Sequence, residues 1–567
     1  MSLKPTVHLC RSSLKRGIMA RTSLHRPAVA ALWLALLAGC GSDPGPAGPP
    51  PGFGTGPDPL FPAQWHLVNS GQFDGVVGVD INVAPLWAEG IKGAGSVIAI
   101  VDNGMQIGHE DLAPNVVAQK SWDYIGGDTD PTPSTPMYAP QHGTSTAGVA
   151  AARDLNGVGL RGVAPRAGLV GYNLIASEAI SSSIDVVDAM TRNSDIVSAS
   201  NNSWGYAPDG TGELYVVSNV LWEEAILDGV TSGRGGKGTV YVWAAGNGAG
   251  AQFDETIATY GDLNVDNSNY DDQANSPYVM AICAVDDLGV RAPYSELGAN
   301  LWVCAPGGWI TRGGLATTDL LGSAGINYPG TPFRGEFANS SYTNTFIGTS
   351  AAAPIVSGVV ALMLEANPDL SWRDVRLILA RTAVKNTASG WEVTSPAAGQ
   401  PTYNIHHEYG FGLVDVEAAV QAARHWPSVG DFSALQRSST DSGALAVVVA
   451  AGLAEDQVIT ISSAAGRIIE YVEVTLDLDH ASIGELEVVL TAPSGTRSIL
   501  AEPHNCYRVD DGALLTACLT SYFGGWTFGS ARHLGEASAG DWTLSITNHA
   551  QDVDATWQSW SITVYGR

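Results

Sequence analysis

The sequence predicts two domains of different class: an α/β domain built on a doubly wound, mostly parallel sheet, and after it an all-β, jelly-roll-like sandwich. Val97-Ile98-Ala99-Ile100-Val101 is a short apolar run rich in β-branched residues, as in a buried strand. Ser350 is followed by an apolar stretch typical of a helix. From about Val458 the pattern changes to short alternating strands separated by turn residues, which indicates the sandwich.

Length and composition divide the chain further, because 567 residues exceed what one hydrophobic core usually supports. Basic residues precede the apolar stretch Ala28–Ala38, which is too short to span a membrane and therefore indicates a signal segment, with Met19 as a candidate start. A Pro/Gly-rich segment follows that is too poor in apolar side chains to pack. Composition shifts again at Trp426-Pro427. We expect a signal segment at 1–40, a tether at 41–57, the α/β domain at 58–426 and the sandwich at 427–567.

Charge and cysteine content indicate an exported protein. The formal charge is −28, from 28 basic and 56 acidic residues, which argues against nucleic-acid binding and offers many carboxylates to calcium. Apart from Cys10 and Cys40 the chain has four cysteines, an even number that predicts disulfides, and no spacing resembles a zinc site. Four cysteines allow three pairings, of which proximity in sequence favours Cys283 with Cys304 and Cys506 with Cys518.

Four separate segments carry the residue types of a nucleophilic site. They are Asp102 at the end of the predicted strand, His142 before a run of small residues, Asn247 between glycines, and Ser350 in Gly348-Thr349-Ser350-Ala351. A serine hydroxyl is a poor nucleophile, so His142 would take its proton and Asp102 would orient the imidazole. The Asn247 amide and the Ser350 N–H would stabilise an oxyanion. Each residue alone could be a cap or a turn former; all four in this one order indicate a catalytic set.

The order Asp, His, Asn, Ser and the motifs around it resemble the subtilisin-like serine peptidases, most closely the kexin/furin subfamily. The resemblance extends over nearly all of residues 58–567. In the first domain it rests on segments that include Asp58–Leu67, Asp80–Asn82, Asn202–Gly205, Glu365–Pro368 and Trp372–Val375. The predicted sandwich resembles the P domain of the same subfamily, through Trp526–Phe528, His533–Glu536, Gly540–Trp542 and Trp560–Thr563.

This resemblance implies a calcium-dependent serine endopeptidase that acts on proteins or peptides. Leu37-Ala38-Gly39-Cys40 also resembles the cleavage box of bacterial lipoproteins, so Cys40 would be lipidated and anchor an exported enzyme to the bacterial envelope. A signal peptide without lipidation is the alternative. Kexin-type enzymes carry a folded propeptide, and none fits between Cys40 and Asp58. Folding is therefore expected to depend on calcium, the P domain or a separate chaperone.

The resemblance also implies calcium ligands. At a first site they are the side chains of Asp58, Asp111 and Asn156 with the carbonyl oxygens of Arg153, Val158 and Leu160. A second site would use Asp266 and Glu296, although Pro208 stands where a third acid is expected, next to Asp209. Mixed carboxylate, amide and carbonyl oxygens suit a hard cation. For any one of these acids, the alternative is a solvated surface charge.

Substrate preference is expected to follow from charge. Asp271 matches the family's acid in the primary pocket, and Ser203-Trp204-Gly205 matches its substrate-binding segment. Asn103 and Ala139 stand where the subfamily has acids that select a second basic residue. We therefore expect cleavage after a single arginine or lysine. The alternatives are a broad degradative subtilase and a non-catalytic binding lipoprotein on the same scaffold.

Overall fold

The computed structural model describes residues 58–133, 139–176, 183–205, 211–214, 220–250, 265–309, 311–327, 336–463, 466–507, 514–522 and 524–567. The predicted signal segment, Cys40 and the tether lie outside these residues, as do Pro208 and Asp209. The described helices are α1 Ala84–Glu89, α2 His142–Ala151, α3 Ser183–Thr191, α4 Val220–Ser232, α5 Thr349–Ala366, α6 Trp372–Thr382 and α7 Val416–Ala423.

The α/β domain is built on one seven-stranded sheet in the order β2-β3-β1-β4-β5-β6-β7, in which every pairing is parallel. Most of these strands are buried along their length, as expected for a sheet covered on both faces. The strands are β1 Val97–Asp102, β2 Trp122–Asp123, β3 Gly168–Asn173, β4 Ala199–Asn202, β5 Val240–Ala244, β6 Val279–Val285 and β7 Leu301–Pro306.

Helices cover both faces of this sheet. The Tyr241 hydroxyl of β5 donates to the carbonyl of Met190 in α3, and the Trp243 ring packs on Trp222 of α4. On the other face, Ser357 of α5 donates to Asn201 of β4 at 2.9 Å. Asn201 is paired with Val242, which lies between the two β5 aromatics, so α5 is opposite α3 and α4. The predicted doubly wound α/β class is confirmed.

The strand order reverses beside β1. This strand lies between β3 on one side and β4 on the other, so the chain builds the sheet outward in both directions from it. In open α/β sheets, ligands bind at the carboxyl ends of the strands at such a point. Asp102 is the last residue of β1 and is fully buried.

The C-terminal domain is a sandwich of two antiparallel sheets, as predicted. One has the order β12-β20-β15-β18 with β13 on β20, and the other has the order β14-β19-β16-β17. Alternate residues of β19 point inward, among them Trp542, Leu544 and Ile546. The strands are β12 Gln436–Asp441, β13 Val447–Val449, β14 Ala454–Ile461, β15 Ile469–Asp479, β16 Leu486–Thr491, β17 Arg497–Ala501, β18 Trp526–Ser530, β19 Gly540–Asn548 and β20 Ala555–Gly566.

Two short antiparallel hairpins complete the α/β domain: β8 Leu315–Thr318 with β9 Tyr342–Phe346, and β10 Glu392–Val393 with β11 Asn404–Ile405. Helix α5 is long and apolar enough to cross a membrane, but most of it is buried, as in the core helix of a soluble domain. Two disulfides join Cys283 to Cys304 and Cys506 to Cys518.

The two domains pack closely on each other. Tyr471, Leu534 and Tyr565 of the sandwich belong to the hydrophobic core of the α/β domain. The guanidinium of Arg373 in α6 is buried and donates from Nε to Glu470 of the sandwich at 2.8 Å. Apolar packing and a buried ion pair therefore fix one domain on the other.

Candidate active site

Asp102, which is buried, and His142, which is partly exposed, form an acid–imidazole pair. Asp102 ends β1 and His142 begins α2, and Nδ1 of the imidazole lies 2.8 Å from Oδ1 and 3.0 Å from Oδ2 of the carboxylate. The Asn103 N–H donates to Oδ1 of Asp102 at 2.7 Å, and the edge of the Phe346 ring packs against the imidazole. These contacts fix the ring with Nδ1 on the carboxylate, so Nε2 is the nitrogen that can exchange a proton with a substrate or nucleophile.

Ser350 lies in the first turn of α5 and is tied to the segment after β4. Pro354 has no N–H, so the carbonyl of Ser350, four residues earlier, has no donor within the helix. The Ser203 hydroxyl donates to that carbonyl at 3.0 Å. In return, Oγ of Ser350 donates to the carbonyl of Ser203 at 3.1 Å. The two serines therefore hold each other through both a hydroxyl and a carbonyl.

Asn247 is oriented by the residue before the nucleophile. Its Oδ1 accepts the Thr349 N–H at 2.8 Å and the Thr349 hydroxyl at 2.9 Å. Since two donors face Oδ1, the amide NH₂ is turned the other way, and the orientation of the amide follows from its partners. The N–H of Ser350 belongs to the first turn of α5, where helix N–H groups have no acceptor within the helix and the dipole favours negative charge. These donors can serve an oxyanion.

Asp271 and Gly205 lie next to each other. Oδ1 of Asp271 accepts the Gln273 N–H at 2.7 Å and the Ala274 N–H at 3.2 Å, which fixes the carboxylate. A Cβ on Gly205 would lie 3.3 Å from Oδ2, so this oxygen faces the backbone of the predicted substrate-binding segment. The Trp204 ring packs on Trp243 with centroids 4.7 Å apart, so the ring of Trp204 is part of the hydrophobic core.

Asn103 connects Asp102 to the start of α2. Its Nδ2 donates to the carbonyl of Ala139 at 2.9 Å, and its Oδ1 accepts the Gly143 N–H at 3.0 Å. The side chain is fully buried. Both ends of the amide are therefore engaged in holding the loop that carries His142.

The residues predicted for the first calcium site come from three segments that meet at the loop 153–160. Asp58 and Asp111 are both buried; Oδ1 of Asp58 accepts the Leu155 N–H at 2.7 Å, and its other oxygen contacts the Arg161 guanidinium. Oδ1 of Asp111 accepts from Nδ2 of Asn156 at 2.6 Å. The remaining predicted residues donate hydrogen bonds to the same groups. The Leu160 N–H donates to Oδ2 of Asp111, the Arg153 N–H to the Asp111 carbonyl, and the Val158 N–H to Oδ1 of Asn156.

Two observations support the binding of a hard cation at this loop. Burial raises the pKa of Asp111 to about 6, and the charge of Asp58 adds to that rise, so a cation bound at this carboxylate would favour its ionised form. Within the described part of the chain, the carbonyl oxygens of Arg153, Val158 and Leu160 accept no hydrogen bond. Oxygen ligands of the kinds that calcium prefers are thus available.

The residues predicted for a second cation site are also neighbours. Asn267 and Leu297 pair in a parallel bridge, which brings the preceding residues, Asp266 and Glu296, side by side. Oε1 of Glu296 accepts the Gly248 N–H at 2.9 Å, next to Asn247. The expected third ligand, at Pro208 or Asp209, lies outside the described residues.

One further cluster has the composition of a metal site. His504, Cys506 and Cys518 bring their ligand atoms close together. The two sulfurs form a disulfide, and the imidazole lies between two carbonyl oxygens, with Nδ1 2.8 Å from that of Glu502 and Nε2 2.8 Å from that of Gly212. The cluster is therefore a structural unit of the sandwich domain.

Three residues that shape the site were not predicted from the sequence in these roles. They are Thr349, which orients Asn247; Phe346, which packs on His142; and Asn103, which the sequence pattern related only to specificity. A threonine at the first position of a helix has a hydroxyl near backbone donors and acceptors, which was the available signal for Thr349. The partner of that hydroxyl is more than one hundred residues away along the chain.

Comparisons with known families match both domains. Residues 93–412 match the Subtilase family, and residues 469–564 match the Proprotein convertase P-domain. Kexin of Saccharomyces cerevisiae is 33% identical over 526 residues, which cover 90% of this chain and 56% of kexin. Human Neuroendocrine convertase 2 is 31% identical over 502 residues, covering 86% of this chain and 70% of the convertase. The chain thus spans just over half the length of kexin.

A solved structure has a similar fold over both domains. The serine protease of Aeromonas sobria covers 90% of this chain and 96% of its own, with a TM-score of 0.76 and 28% identity. The same protease has also been solved in complex with its chaperone, at 27% identity and the same TM-score. With its Asp, His, Asn and Ser arranged around the carboxyl end of β1 and the start of α5, this chain belongs to the subtilase family of serine endopeptidases, in the kexin-related group that carries a P domain.

Proposed function

We propose that the protein is a calcium-dependent serine endopeptidase that cleaves after arginine or lysine on the bacterial envelope. The observation that supports the endopeptidase activity is that both proposed partners of Ser350, His142 and Asn247, are held in place by hydrogen bonds. His142 is held by Asp102, and Asn247 is held by Thr349, the residue before the nucleophile.

The proposed mechanism assigns one task to each residue. Oγ of Ser350 exchanges its present acceptor, the Ser203 carbonyl, for Nε2 of His142, which takes the proton as Oγ attacks the substrate carbonyl. Asp102 stabilises the resulting imidazolium. The Asn247 amide and the Ser350 N–H hold the oxyanion, and His142 then gives its proton to the leaving amine. Water repeats the sequence on the acyl enzyme.

A fluorophosphonate probe tests this assignment on the purified chain from Ser42. Labelling is expected for the wild type and lost in Ser350→Ala, because the probe reacts with an activated serine. Circular dichroism of both proteins checks that each is folded. A folded wild type that the probe leaves unlabelled would contradict the proposal and favour a binding protein on a subtilase scaffold.

The preference for basic residues rests on the fixed carboxylate of Asp271 beside Gly205. A carboxylate in a cleft favours a cationic side chain and leaves an apolar one poorly matched. Peptides that differ only in arginine, lysine or leucine before the cleaved bond test it. We expect kcat/KM for arginine to exceed that for leucine by at least about tenfold, and Asp271→Ala to remove the difference. Equal rates on all three peptides in the wild type would rule out the pocket assignment.

We do not expect the enzyme to select substrates with a second basic residue. Asn103 and Ala139 offer no charge, and the Asn103 amide is engaged with the Ala139 carbonyl and the Gly143 N–H. Peptides with one and with two basic residues are therefore expected to be cleaved at similar rates.

Calcium would be held by Asp58, Asp111 and Asn156 with the carbonyl oxygens of Arg153, Val158 and Leu160, and it would favour the ionised form of Asp111, whose pKa is raised by burial. We expect chelation to lower the melting temperature of the wild type. Asp111→Asn should have a melting temperature below that of the untreated wild type, with or without chelation. Asp154→Asn is the matched control, because Asp154 is an equally buried aspartate that pairs with Lys92 and Arg166. A wild-type melting temperature that ignores chelation would contradict calcium binding.

Envelope display rests on the predicted lipidation of Cys40. Metabolic labelling with a radioactive fatty acid is expected in the wild type and absent in Cys40→Ser. The structure of the Aeromonas sobria protease with its chaperone supports a separate folding partner for this chain as well. Co-expression with the Aeromonas sobria chaperone, scored by the yield of probe-reactive protein, tests that part.

A further inference from the structure

A short segment of the α/β domain is fastened to the sandwich domain just after the predicted substrate-binding residues. This segment, Thr211–Leu214, begins six positions after Gly205. The Thr211 carbonyl accepts the Tyr507 N–H at 2.9 Å, and the Gly212 carbonyl lies 2.8 Å from Nε2 of His504. Both partners belong to the sandwich, so the segment is held across the domain boundary.

Glu213 is the centre of this contact. Its side chain is buried, and Oε1 accepts the Leu519 N–H at 2.6 Å. Oε2 accepts the Thr520 N–H at 2.8 Å and the Thr520 hydroxyl at 2.5 Å. The same hydroxyl accepts the Leu214 N–H at 3.1 Å. A buried carboxylate with three donors is well compensated, and hydrogen bonds to a charged group are the stronger kind.

The Cys506–Cys518 disulfide brings the donors of this contact together. His504 and Tyr507 lie on either side of Cys506, and Leu519 and Thr520 directly follow Cys518. The disulfide thus joins the two stretches that hold Thr211–Leu214. Gly212 has a φ of +72°, and a Cβ there would approach the Asn505 carbonyl to 2.7 Å, so the backbones fit closely.

Ser203, which precedes Thr211–Leu214 in the chain, contacts Ser350, the proposed nucleophile. Ser203 exchanges hydrogen bonds with Ser350 through a hydroxyl and a carbonyl on each side. Ser203 is therefore held by Ser350, and Thr211–Leu214 is held by the sandwich domain. Gly205, which faces Asp271, lies between these two attachments.

We infer that Glu213 is a positioning residue: by fastening Thr211–Leu214 to the disulfide-closed loop of the sandwich domain, it sets the path of the substrate-binding segment. It acts through the backbone of Ser203–Gly205 and does not contact the substrate, because its carboxylate is occupied by Leu519 and Thr520. The inference rests on the assignment of Ser203–Gly205 to substrate binding made under the proposed function. It makes the sandwich domain a structural part of the substrate cleft.

The test compares KM and kcat in Glu213→Ala, Glu213→Gln and the wild type. The substrate is whichever extended peptide of the arginine, lysine and leucine series the wild type cleaves fastest, so a failure of the proposed basic preference leaves the test intact. We expect KM to rise about tenfold in Glu213→Ala and less in Glu213→Gln, with kcat changed by less than about twofold. Labelling by the small fluorophosphonate, which does not fill the cleft, should keep its rate.

Glu536→Gln is the matched control. Glu536 is also buried at the domain boundary and also accepts from three groups, Ser395 N–H and the hydroxyls of Ser494 and Thr496, but it meets the α/β domain at the β10–β11 hairpin. Its KM should remain that of the wild type. If Glu213→Ala does not fold, Thr520→Val, which removes the hydroxyl alone, takes its place with a smaller rise in KM. An unchanged KM in the folded Glu213 variants, or an equal rise in Glu536→Gln, would overturn the inference.

Discussion

Thr349 links Ser350, the proposed nucleophile, to Asn247, the proposed oxyanion donor, through its backbone N–H and its hydroxyl. Its N–H and its hydroxyl both donate to Oδ1 of Asn247, and the Gly246 N–H donates to the same hydroxyl at 3.3 Å. A donor aimed in advance costs no reorganisation when negative charge develops on the substrate. Thr349 is thus expected to act on kcat through the direction of the Asn247 amide.

Two substitutions measure this contribution. Asn247→Ala should lower kcat by about 10²–10³-fold, which corresponds to about 2.7–4 kcal/mol of transition-state stabilisation. Thr349→Val should lower kcat by only about tenfold, because its N–H still holds the amide oxygen. Steady-state kinetics on a cleaved peptide provide both values, with KM expected to stay constant. A Thr349→Val enzyme with wild-type kcat would show that the N–H alone suffices.

At the scale of single residues, the sequence indicates which residue types could be functional. It does not indicate which groups they contact in the folded chain. Ser350 and Asn247 stand out because each lies among small residues in a short local motif. Thr349 does not, since its role depends on a hydrogen bond to a residue 102 positions earlier. Phe346 is likewise ordinary in sequence, and only the folded chain brings its ring to His142.

At the scale of elements, the end of β4 and the first turn of α5 support each other. Pro354 removes the donor that would otherwise satisfy the Ser350 carbonyl, and the Ser203 hydroxyl replaces it. Nδ2 of Asn201, inside β4, donates to the same hydroxyl at 2.9 Å. A proline that weakens the helix thereby allows a strand terminus to be tied to the nucleophile.

Ser203→Ala tests this arrangement. Removal of the hydroxyl leaves the buried Ser350 carbonyl without its donor and the Asn201 amide without an acceptor, which should destabilise the protein by about 1–3 kcal/mol. Urea unfolding followed by tryptophan fluorescence gives the value. Ser232→Ala is the control, because that hydroxyl is exposed at the end of α4 and its loss should cost less than about 0.5 kcal/mol. Equal stability of the two variants would contradict the proposed support.

The type of each domain could be predicted, but the order of the strands could not. The apolar runs of β1, β5 and β6 indicate buried strands, and the alternating pattern of β15 and β19 indicates a half-buried sandwich. The periodicity of apolar residues indicates which face of a strand is buried, but it does not indicate which strand lies beside it in the sheet. The placement of β1 between β3 and β4 depends on crossover connections that no local pattern encodes.

At the scale of the whole molecule, the sandwich domain also holds the loop that carries Asp271. Asn269, two residues before Asp271, accepts the Gly529 N–H at 2.7 Å and donates to the Gly529 carbonyl at 3.1 Å. Tyr270, between them in sequence, belongs to the hydrophobic core of the sandwich. The loop that carries the proposed specificity carboxylate is therefore packed as part of the second domain. Sequence resemblance predicted that domain and did not indicate this contact.

Glu502 makes this interface sensitive to pH. It belongs to the sandwich, accepts from Nδ2 of Asn267 at 2.8 Å and contacts the His407 imidazole, both in the α/β domain. Burial raises the pKa of Glu502, but the attraction of His407 and the hydrogen bonds from His407 and Asn267 outweigh burial and lower it below the ordinary 4.5. The folded protein thus binds this proton more weakly than the unfolded chain does. Its stabilising contribution is complete above pH 4.5 and is lost as the pH falls through the lowered value.

Glu502→Gln removes that contribution, so the wild type should melt above the variant at about pH 6, and the two melting temperatures should converge at about pH 3.5. Thermal melts at both values measure the difference. Glu392→Gln is the control, because Glu392 also crosses the domain boundary, to Arg532 at 3.0 Å, but its side chain is 60% exposed and such pairs contribute little. A gap between wild type and Glu502→Gln that is equal at the two pH values would mean that packing and not ionisation of Glu502 holds the domains together there.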